Sequence, residues 1–533
     1  MRVQSLKHVA EIPEVERTPL VTELIELCHL QAERIQALED EIARLKGNKP
    51  APRRNPSGLA DERESEGKRV EGDGKRAGSV KRHKTAELTI HETKVVPLDD
   101  RPPGSRFRGY EEFTVQDLRI EPHNTCYRRE RWERPEGGSV VAPMPAGVAC
   151  GHFGVTLVCF VLYQYNHARV TQPLILEQLL EWGIDISAGQ INVILTEEKW
   201  RWHEEKAEIL RVGLQVSRSI HVDDTGARHQ GKSGHCTHIG NEQFAWFEST
   251  ESKSRINFLM LLRGTNTEYV IDDDALAYMR AQKLPKYLLA RLQDESPKVV
   301  CDEAAWKQAL EAWGIEAEHH IRTVTEGALV ASILRPGCLH PDLVIMSDDA
   351  GQFHVFTHTL CWWHAERIIQ KLVGFSAEQR AALEGVRDQI WELYQDLKRY
   401  KDAPSEQKAA ELEARFDALV STKTCFATLN QALQRMASHK AELLLVLKRP
   451  DLPLNNNESE RSLREYVTKR KVSGSTRSDE GRRCRDTFAS FKKTCRKLGI
   501  SFWSFLLDRV TGGKEVPWLP DLIRQRASAA NSS

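Results

Sequence analysis

Leu343-Val344-Ile345-Met346 is an unbroken apolar run that stops at Ser347-Asp348-Asp349. Four such side chains in a row suit a strand buried on both faces, and strands of that kind lie inside sheets covered by helices. A second apolar segment, Ile220 and Val222, alternates as a half-buried strand does and ends at Asp223-Asp224-Thr225-Gly226. Residues 235–239, a Gly240-Asn241 turn, 244–247 and 256–262 continue it as strands of an antiparallel meander. Helical segments are expected over about 273–333. From 361 to 448 the apolar period is helical throughout, including 387–397, 409–419 and 433–447. The fold class expected is therefore α/β, a core beginning near Val216 and interrupted by an all-helical insertion.

Upstream, residues 18–46 carry a heptad. Val21, Cys28, Ile35 and Ile42 fall at a positions, and Leu24, Gln31, Leu38 and Leu45 fall at d. Arg34 with Glu39 and Glu41 with Lys46 occupy g and e positions, where ion pairs set partner choice. A coiled-coil, zipper-like helix over 1–46 is expected to mediate self-association. Residues 47–96 are polar and nearly free of aromatics, so they cannot bury enough apolar surface to offset ordering entropy, and a disordered linker is expected. Residues 97–146 alternate short β-type runs (113–115, 118–120 and 140–142) with Pro and Gly, the pattern of a small β-rich module. Over 147–215 helices are expected at 156–165 and 174–182, then a break at Gly183 and a third helix capped by Ser187. That outline fits a DNA-binding helix-turn-helix and equally an ordinary helical hairpin. The core's first part then occupies 216–374, the insertion 375–450, and the core's C-terminal part 451–533.

Charge is balanced, 76 basic against 76 acidic residues, so net charge announces no nucleic-acid partner. Its distribution does. Between 461 and 497 lie Arg461, Arg464, Lys469, Arg470, Lys471, Arg477, Arg482, Arg483, Arg485, Lys492, Lys493, Arg496 and Lys497, against Glu465, Asp479, Glu480 and Asp486. Such a local excess is a phosphate-binding footprint, whereas a solvated helix face usually mixes both signs. The eleven cysteines include no Cys-x-x-Cys, which argues against a disulfide framework. With no apolar leader and no apolar run long enough to span a bilayer, the expected location is the cytoplasm, associated with the nucleoid, and no membrane partner is expected.

Carboxylates at the ends of two strands and a third at the start of a helix would make an acidic cluster. The third candidate is Glu460, in Asn455-Asn456-Asn457-Glu458-Ser459-Glu460-Arg461, with Glu458 as runner-up. Three convergent carboxylates are costly unless a cation or protons neutralise them. Hard cations take oxygen ligands, and two of them about 3.5–4 Å apart clamp both oxygens of an in-line phosphoryl displacement. Against this stand plain alternatives. Asp-Asp after a strand is common turn chemistry, and Asn457 with Glu460 resembles a capping box. Arg464, one turn beyond Glu460, is placed to orient that carboxylate.

His221-Val-Asp-Asp-Thr, Met346-Ser-Asp-Asp-Ala-Gly-Gln-Phe353, Cys361-Trp-Trp-His-Ala-Glu-Arg367 and Asn456-Asn-Glu-Ser-Glu-Arg-Ser-Leu-Arg464 occur in that order. Together they resemble the signatures of the insertion-sequence 66 family of bacterial transposases, of the DDE class, over most of the chain. The resemblance implies an RNase H-like catalytic core in which Asp223, Asp348 and Glu460 are the catalytic, metal-binding acids. It implies two Mg2+ ions, with Mn2+ as a substitute, and a supporting role for Cys361 and His364. The roughly 112 residues between Asp348 and Glu460 match a helical insertion. The implied activity is cleavage at element ends and strand transfer into target DNA. Double-stranded DNA (terminal inverted repeats and target) is the implied partner, with accessory proteins of the same element. Arg461, Lys469, Arg470, Lys471, Arg477, Arg482, Arg483, Lys492 and Lys493 are the candidate DNA contacts.

Two departures stand out. Only Cys126 and Cys150 lie where family members commonly carry a four-cysteine zinc finger, and Asn455 replaces the usual Asp before the paired asparagines. Two rival readings remain, a catalytically silent DNA-binding relative and a nuclease that cuts without joining. His354, His358, Cys361 and His364 are spaced closely enough to raise a zinc alternative.

Overall fold

The computed structural model describes residues 88–100, 104–145 and 151–530. The heptad helix and most of the polar linker lie outside the described residues. Two compact units divide the chain, Met1–Ile120 and Glu121–Ser533. In the first, the described residues form neither helix nor strand, and Phe107, Phe113 and Leu118 are exposed. The β-type runs at 113–115 and 118–120 are thus not strands. They are three residues each with no buried face, too little to hold a sheet.

In the second unit a short hairpin, β1 (Arg131–Glu133) and β2 (Ser139–Val141), precedes four helices. These are α1 (Val155–Tyr163), extended by a π-helical turn over Gln164–Ala168, then α2 (Gln172–Glu181), α3 (Ala188–Thr196) and α4 (Trp200–Val216). Ser187 caps α3 by accepting from the Gln190 N–H, while the Gln190 side chain accepts from the Ser187 N–H, a reciprocal capping box. Ile191, Leu195, Ile209 and Leu210 of these helices share one hydrophobic cluster with Ile220 and Val222 of the sheet that follows.

That sheet contains β3 (Ser219–His229), β4 (Lys232–Gly240) and β5 (Ala245–Thr250), then β8 (Val344–Ser347) and β9 (Thr357–Leu360). Its order is β5-β4-β3-β8-β9, with the first three strands antiparallel and β3, β8 and β9 mutually parallel. The apolar run 343–346 does form its interior strand, and every residue of β8 is buried. Between β5 and β8 lie α5 (Arg255–Arg263), β6 (Tyr269–Ile271), α6 (Asp273–Ala281), α7 (Lys286–Asp294), β7 (Lys298–Val300), α8 (Glu303–Ala312) and α9 (Glu318–Leu334). The run 256–262 is therefore helix, not strand. Ser254 caps it by accepting from the Asn257 N–H, and Phe258, Leu259 and Leu262 share its buried face at helical spacing.

After β9 come α10 (Trp362–Gln370), α11 (Ala377–Asp402), α12 (Glu406–Val420), α13 (Ala427–Ser438) and α14 (Lys440–Leu443). They enclose a hydrophobic cluster of their own around Leu393, Leu397, Phe416, Leu429 and Leu433. The chain then returns through α15 (Asn457–Ser473), α16 (Asp479–Lys497), α17 (Phe502–Thr511) and α18 (Leu519–Ala530).

Helix α16 seals the outer edge of β5. The N–H groups of Ala245, Phe247 and Ser249 donate to Thr494 Oγ1, Ser490 Oγ and Asp486 Oδ2 at 3.1, 2.9 and 2.8 Å. Alternate residues of a strand are about 6.7 Å apart and helical residues four apart about 6 Å, so the two rows stay in step over this length. An edge that would otherwise template another chain is satisfied internally.

Candidate active site

Strand β3 is longer than expected, so Asp223 lies in its interior and not at its end. What ends near it is the parallel pairing with β8, whose last register pair is His221 with Met346. Asp223 and Asp348 each lie two residues beyond that pair. Side chains two apart on a strand share a face, so the register directs both acids to one side at the point where the strands part.

The helix α15 covers that side. His238, opposite Asp223 on β4, meets Ser459 Oγ through Nδ1 at 2.6 Å, and Arg470 Nη1 reaches Thr225 Oγ1 at 3.4 Å. Asn456, fully buried, sits at the helix start. Its Nδ2 donates to Val222 O at 2.8 Å, its Oδ1 faces His221 Nδ1 at 2.9 Å, and its N–H donates to Cys361 Sγ at 3.2 Å. Because Nδ2 is committed as donor, Oδ1 must accept, which places the proton on His221 Nδ1. The alternative reading of Asn457 and Glu460 as a capping box is not met: Asn456 occupies the cap position and its side chain bonds β3. Its importance was missed, although the three consecutive asparagines at the start of α15 were the available signal.

The six neighbouring acids fall into two sets. Asp224, on the other face of β3, is paired with Lys253 and accepts from Gln352 Nε2 at 2.8 Å. Asp349 accepts from Arg435 Nε at 2.9 Å and faces His439 Nε2 at 3.3 Å and His354 Nε2 at 3.4 Å. Glu458 is paired with Lys497. Each of these three is consumed by a cation. The predicted acids are held more loosely. Asp348 Oδ1 accepts only the Ala350 N–H, at 3.2 Å, among the described residues. Asp223 Oδ1 accepts the Asp224 N–H at 2.7 Å. Glu460 Oε1 faces His364 Nε2 at 3.4 Å and Arg367 Nη1 at 3.9 Å. Arg464 is exposed.

Burial and then the charge of Asp348 push Asp223 up to about 7, with Asp224 and Glu460 adding to the shift and the Asp224 N–H opposing it. Burial lowers the His364 imidazole, against the pull of Glu460 and Asp348. Cys361 is buried and its thiol is raised to about 11, by burial above all. The oxygen atoms of Asp223, Asp348 and Glu460 are not all within 4.8 Å of one another; among the described residues, the trio of His, Cys, Asp or Glu groups that is so close is His203, Glu480 and Cys484. The same holds against zinc at His354, His358, Cys361 and His364. His358 Nε2 is spent on Ser347 Oγ at 2.7 Å, and Cys361 Sγ on Asn456.

The basic segment is divided by the fold. Lys469 is buried, donating to Asn166 Oδ1 at 2.8 Å over the Tyr165 ring. Lys492 and Lys493 clasp Glu465 at 2.9 and 2.6 Å, and although burial opposes its charge, their hydrogen bonds hold Glu465 down at about 2. Arg482 pairs with Asp479 at 3.1 Å, and Arg470 is half-buried. Arg461, Lys471, Arg477 and Arg483 are exposed, without acidic partners among the described residues.

Residues 342–483 match a family model described as "Transposase IS66 family", a stretch that includes Asp348, Cys361, His364 and Glu460 but not Asp223. This puts the chain among the transposases, enzymes that process DNA. It belongs to the IS66 transposase family. It is also 43% identical over 322 residues to the "Uncharacterized protein y4jO" of Sinorhizobium fredii (strain NBRC 101917 / NGR234), a match covering 60% of this chain and all of that protein. Among the described residues, no helix is long and apolar enough to cross a membrane.

Proposed function

We propose that the chain is a DDE transposase that cleaves DNA at element ends and joins the freed strand to target DNA, with Asp223, Asp348 and Glu460 as its catalytic acids. The observation that carries this reading is the division of the acids: Asp224, Asp349 and Glu458 are each closely engaged by a cation, whereas among the described residues Asp223 and Asp348 have no cationic partner and Glu460 meets Arg367 only at 3.9 Å. The mixed sheet, with Asp223 on its central strand and Asp348 at the end of the parallel neighbour, supports an RNase H-like core.

The donor set fits Mg2+, or Mn2+ in its place: all three groups offer hard oxygens, and Asp223 is destabilised as an anion by burial and then by its neighbours. Bound there, a pair of such ions would lower the pKa of an attacking water and stabilise the charge of an in-line displacement. Asp223, Asp348 and Glu460 would be the residues that hold these ions, Asp223 from the central strand and the other two from the elements beside it. Closing the set needs side-chain rotation, which for Glu460 means leaving His364. Cys361 and Asn456 hold the start of α15 against β3 and β9, which keeps Glu460 within reach of the sheet. Arg461, Lys471, Arg477 and Arg483 are positioned to meet backbone phosphates of duplex DNA. A zipper over 1–46 would pair two copies, and accessory proteins of the element would complete the assembly, which in this reading works at the nucleoid.

Labelled element ends test the proposal. Asp223→Asn, Asp348→Asn and Glu460→Gln should each lower cleavage and joining by about 100-fold or more, with DNA binding retained. Asp224→Asn and Glu458→Gln should remain active. Cleavage without joining in the wild-type protein would favour a nuclease. Binding without either reaction would favour a silent regulator, and full activity in all three variants would end the metal-cluster reading.

A further inference from the structure

Away from the acids, α4 and α16 cross where His203, Glu480 and Cys484 meet. His203 and Cys484 are buried, while Glu480 reaches in from the surface. His203 Nε2 lies 4.0 Å from Cys484 Sγ and 3.9 Å from Glu480 Oε2, and the three atoms are all within 4.8 Å of one another. Glu480 and Cys484 are one turn apart on α16, so both project from the same stripe toward the first turn of α4. Thr487 continues that stripe, and its Oγ1 meets His203 Nδ1 at 2.8 Å. A metal-binding imidazole commonly has its second nitrogen fixed in this way, which turns the first nitrogen toward the ion.

We propose that His203, Glu480 and Cys484 form a zinc site that staples α4 to α16, with a water molecule completing a tetrahedron. Nitrogen, sulfur and oxygen donors together suit zinc and disfavour Mg2+, so the site would not compete with the acids for the same ion. In a tetrahedral zinc site the sulfur and nitrogen ligands are about 3.5 Å apart. The three groups would therefore draw in by about half an ångström each, which the exposed Glu480 and the thiol rotor allow. Binding replaces the Cys484 S–H proton by the ion and releases it to solvent; thiolate and carboxylate then balance the two positive charges. No electron is transferred. Such a staple would fix the helical region around α3 and α4 to the helix that seals the β5 edge.

The experiment uses the full chain, stripped by a chelator, gel-filtered and given Zn2+, with bound metal counted by elemental analysis. Wild type and Asp223→Asn should each retain one zinc per chain. Cys484→Ala should retain none, and Thr487→Val, which keeps the shape and removes the hydroxyl, should bind about 10–100-fold more weakly. Co2+ in place of zinc should show a thiolate charge-transfer band that Cys484→Ala lacks. Glu480→Gln, a surface change that leaves packing intact, should lower affinity and reduce the gain in Tm on adding zinc. A wild-type protein that retains no zinc overturns the proposal, as does Cys484→Ala that keeps both the metal and the band. Loss of zinc in Asp223→Asn would move the metal to the acids.

Discussion

At the residue scale, an ionised Asp223 is opposed by burial and by the charges of Asp348, Asp224 and Glu460. Its carboxyl stands near 7, against an ordinary 3.8. A carboxyl raised by folding contributes stability below its unfolded pKa and loses it as pH climbs through the folded one. The metal-free protein should therefore lose stability relative to Asp223→Asn between about pH 4 and pH 7, by at most on the order of 4 kcal/mol. Denaturant titrations in a chelator at several pH values check this, and parallel profiles for the two proteins would refute it. Above pH 7, Mg2+ should restore stability to the wild type and not to the variant. The family motif alone singled out Asp223 in the sequence; the structure adds that Asp224, on the other face of the strand, is paired with Lys253. The role of Asn456 was not legible, because a local cap and a bond to a strand some 230 residues earlier use the same side chain.

Elements were legible where one period dominated. The strand 344–347 and the capped helix after Ser187 declared themselves. The stretch 256–262 did not, since a short, mostly apolar run fits strand or helix equally, and its Ser254 cap decided the outcome. The pair β6 and β7, three residues each, offers too little pattern to detect. The basic segment shows a different failure. Composition counts charges without saying which face they occupy, and α15 and α16 turn several inward. Lys471→Ala, Arg477→Ala and Arg483→Ala together should flatten the salt dependence of DNA binding, by about 0.9 in log–log slope for each phosphate no longer neutralised. Lys469→Ala should instead destabilise the fold by about 1–3 kcal/mol, leaving Asn166 Oδ1 without its buried donor. A flattened slope with unchanged stability in Lys469→Ala would return that lysine to the DNA-binding face.

For the second unit as a whole, the question is how a helical insertion with its own core stays registered to the sheet that carries two of the acids. One carboxylate does much of it. Asp349, next to Asp348, receives Arg435 of α13, His439 just beyond that helix, and His354 from the loop before β9. Trp362 adds a second tie, its Nε1 donating to Leu443 O at 2.9 Å. Asp349→Asn removes the charge that Arg435 answers while keeping size, and breaking a partly buried pair leaves the remaining cation poorly solvated. Amide exchange over 427–447 should then quicken, while β3, β4 and β8 keep their protection, because the sheet's packing on α15 and α16 does not pass through Asp349. Strand transfer should fall only partly, by about 10-fold, as Asp348 loses the fixed turn beside it. Uniform loss of protection would mean that the insertion and the sheet unfold as one unit. Unchanged exchange over 427–447 would mean that Trp362 and the apolar packing hold the insertion without Asp349.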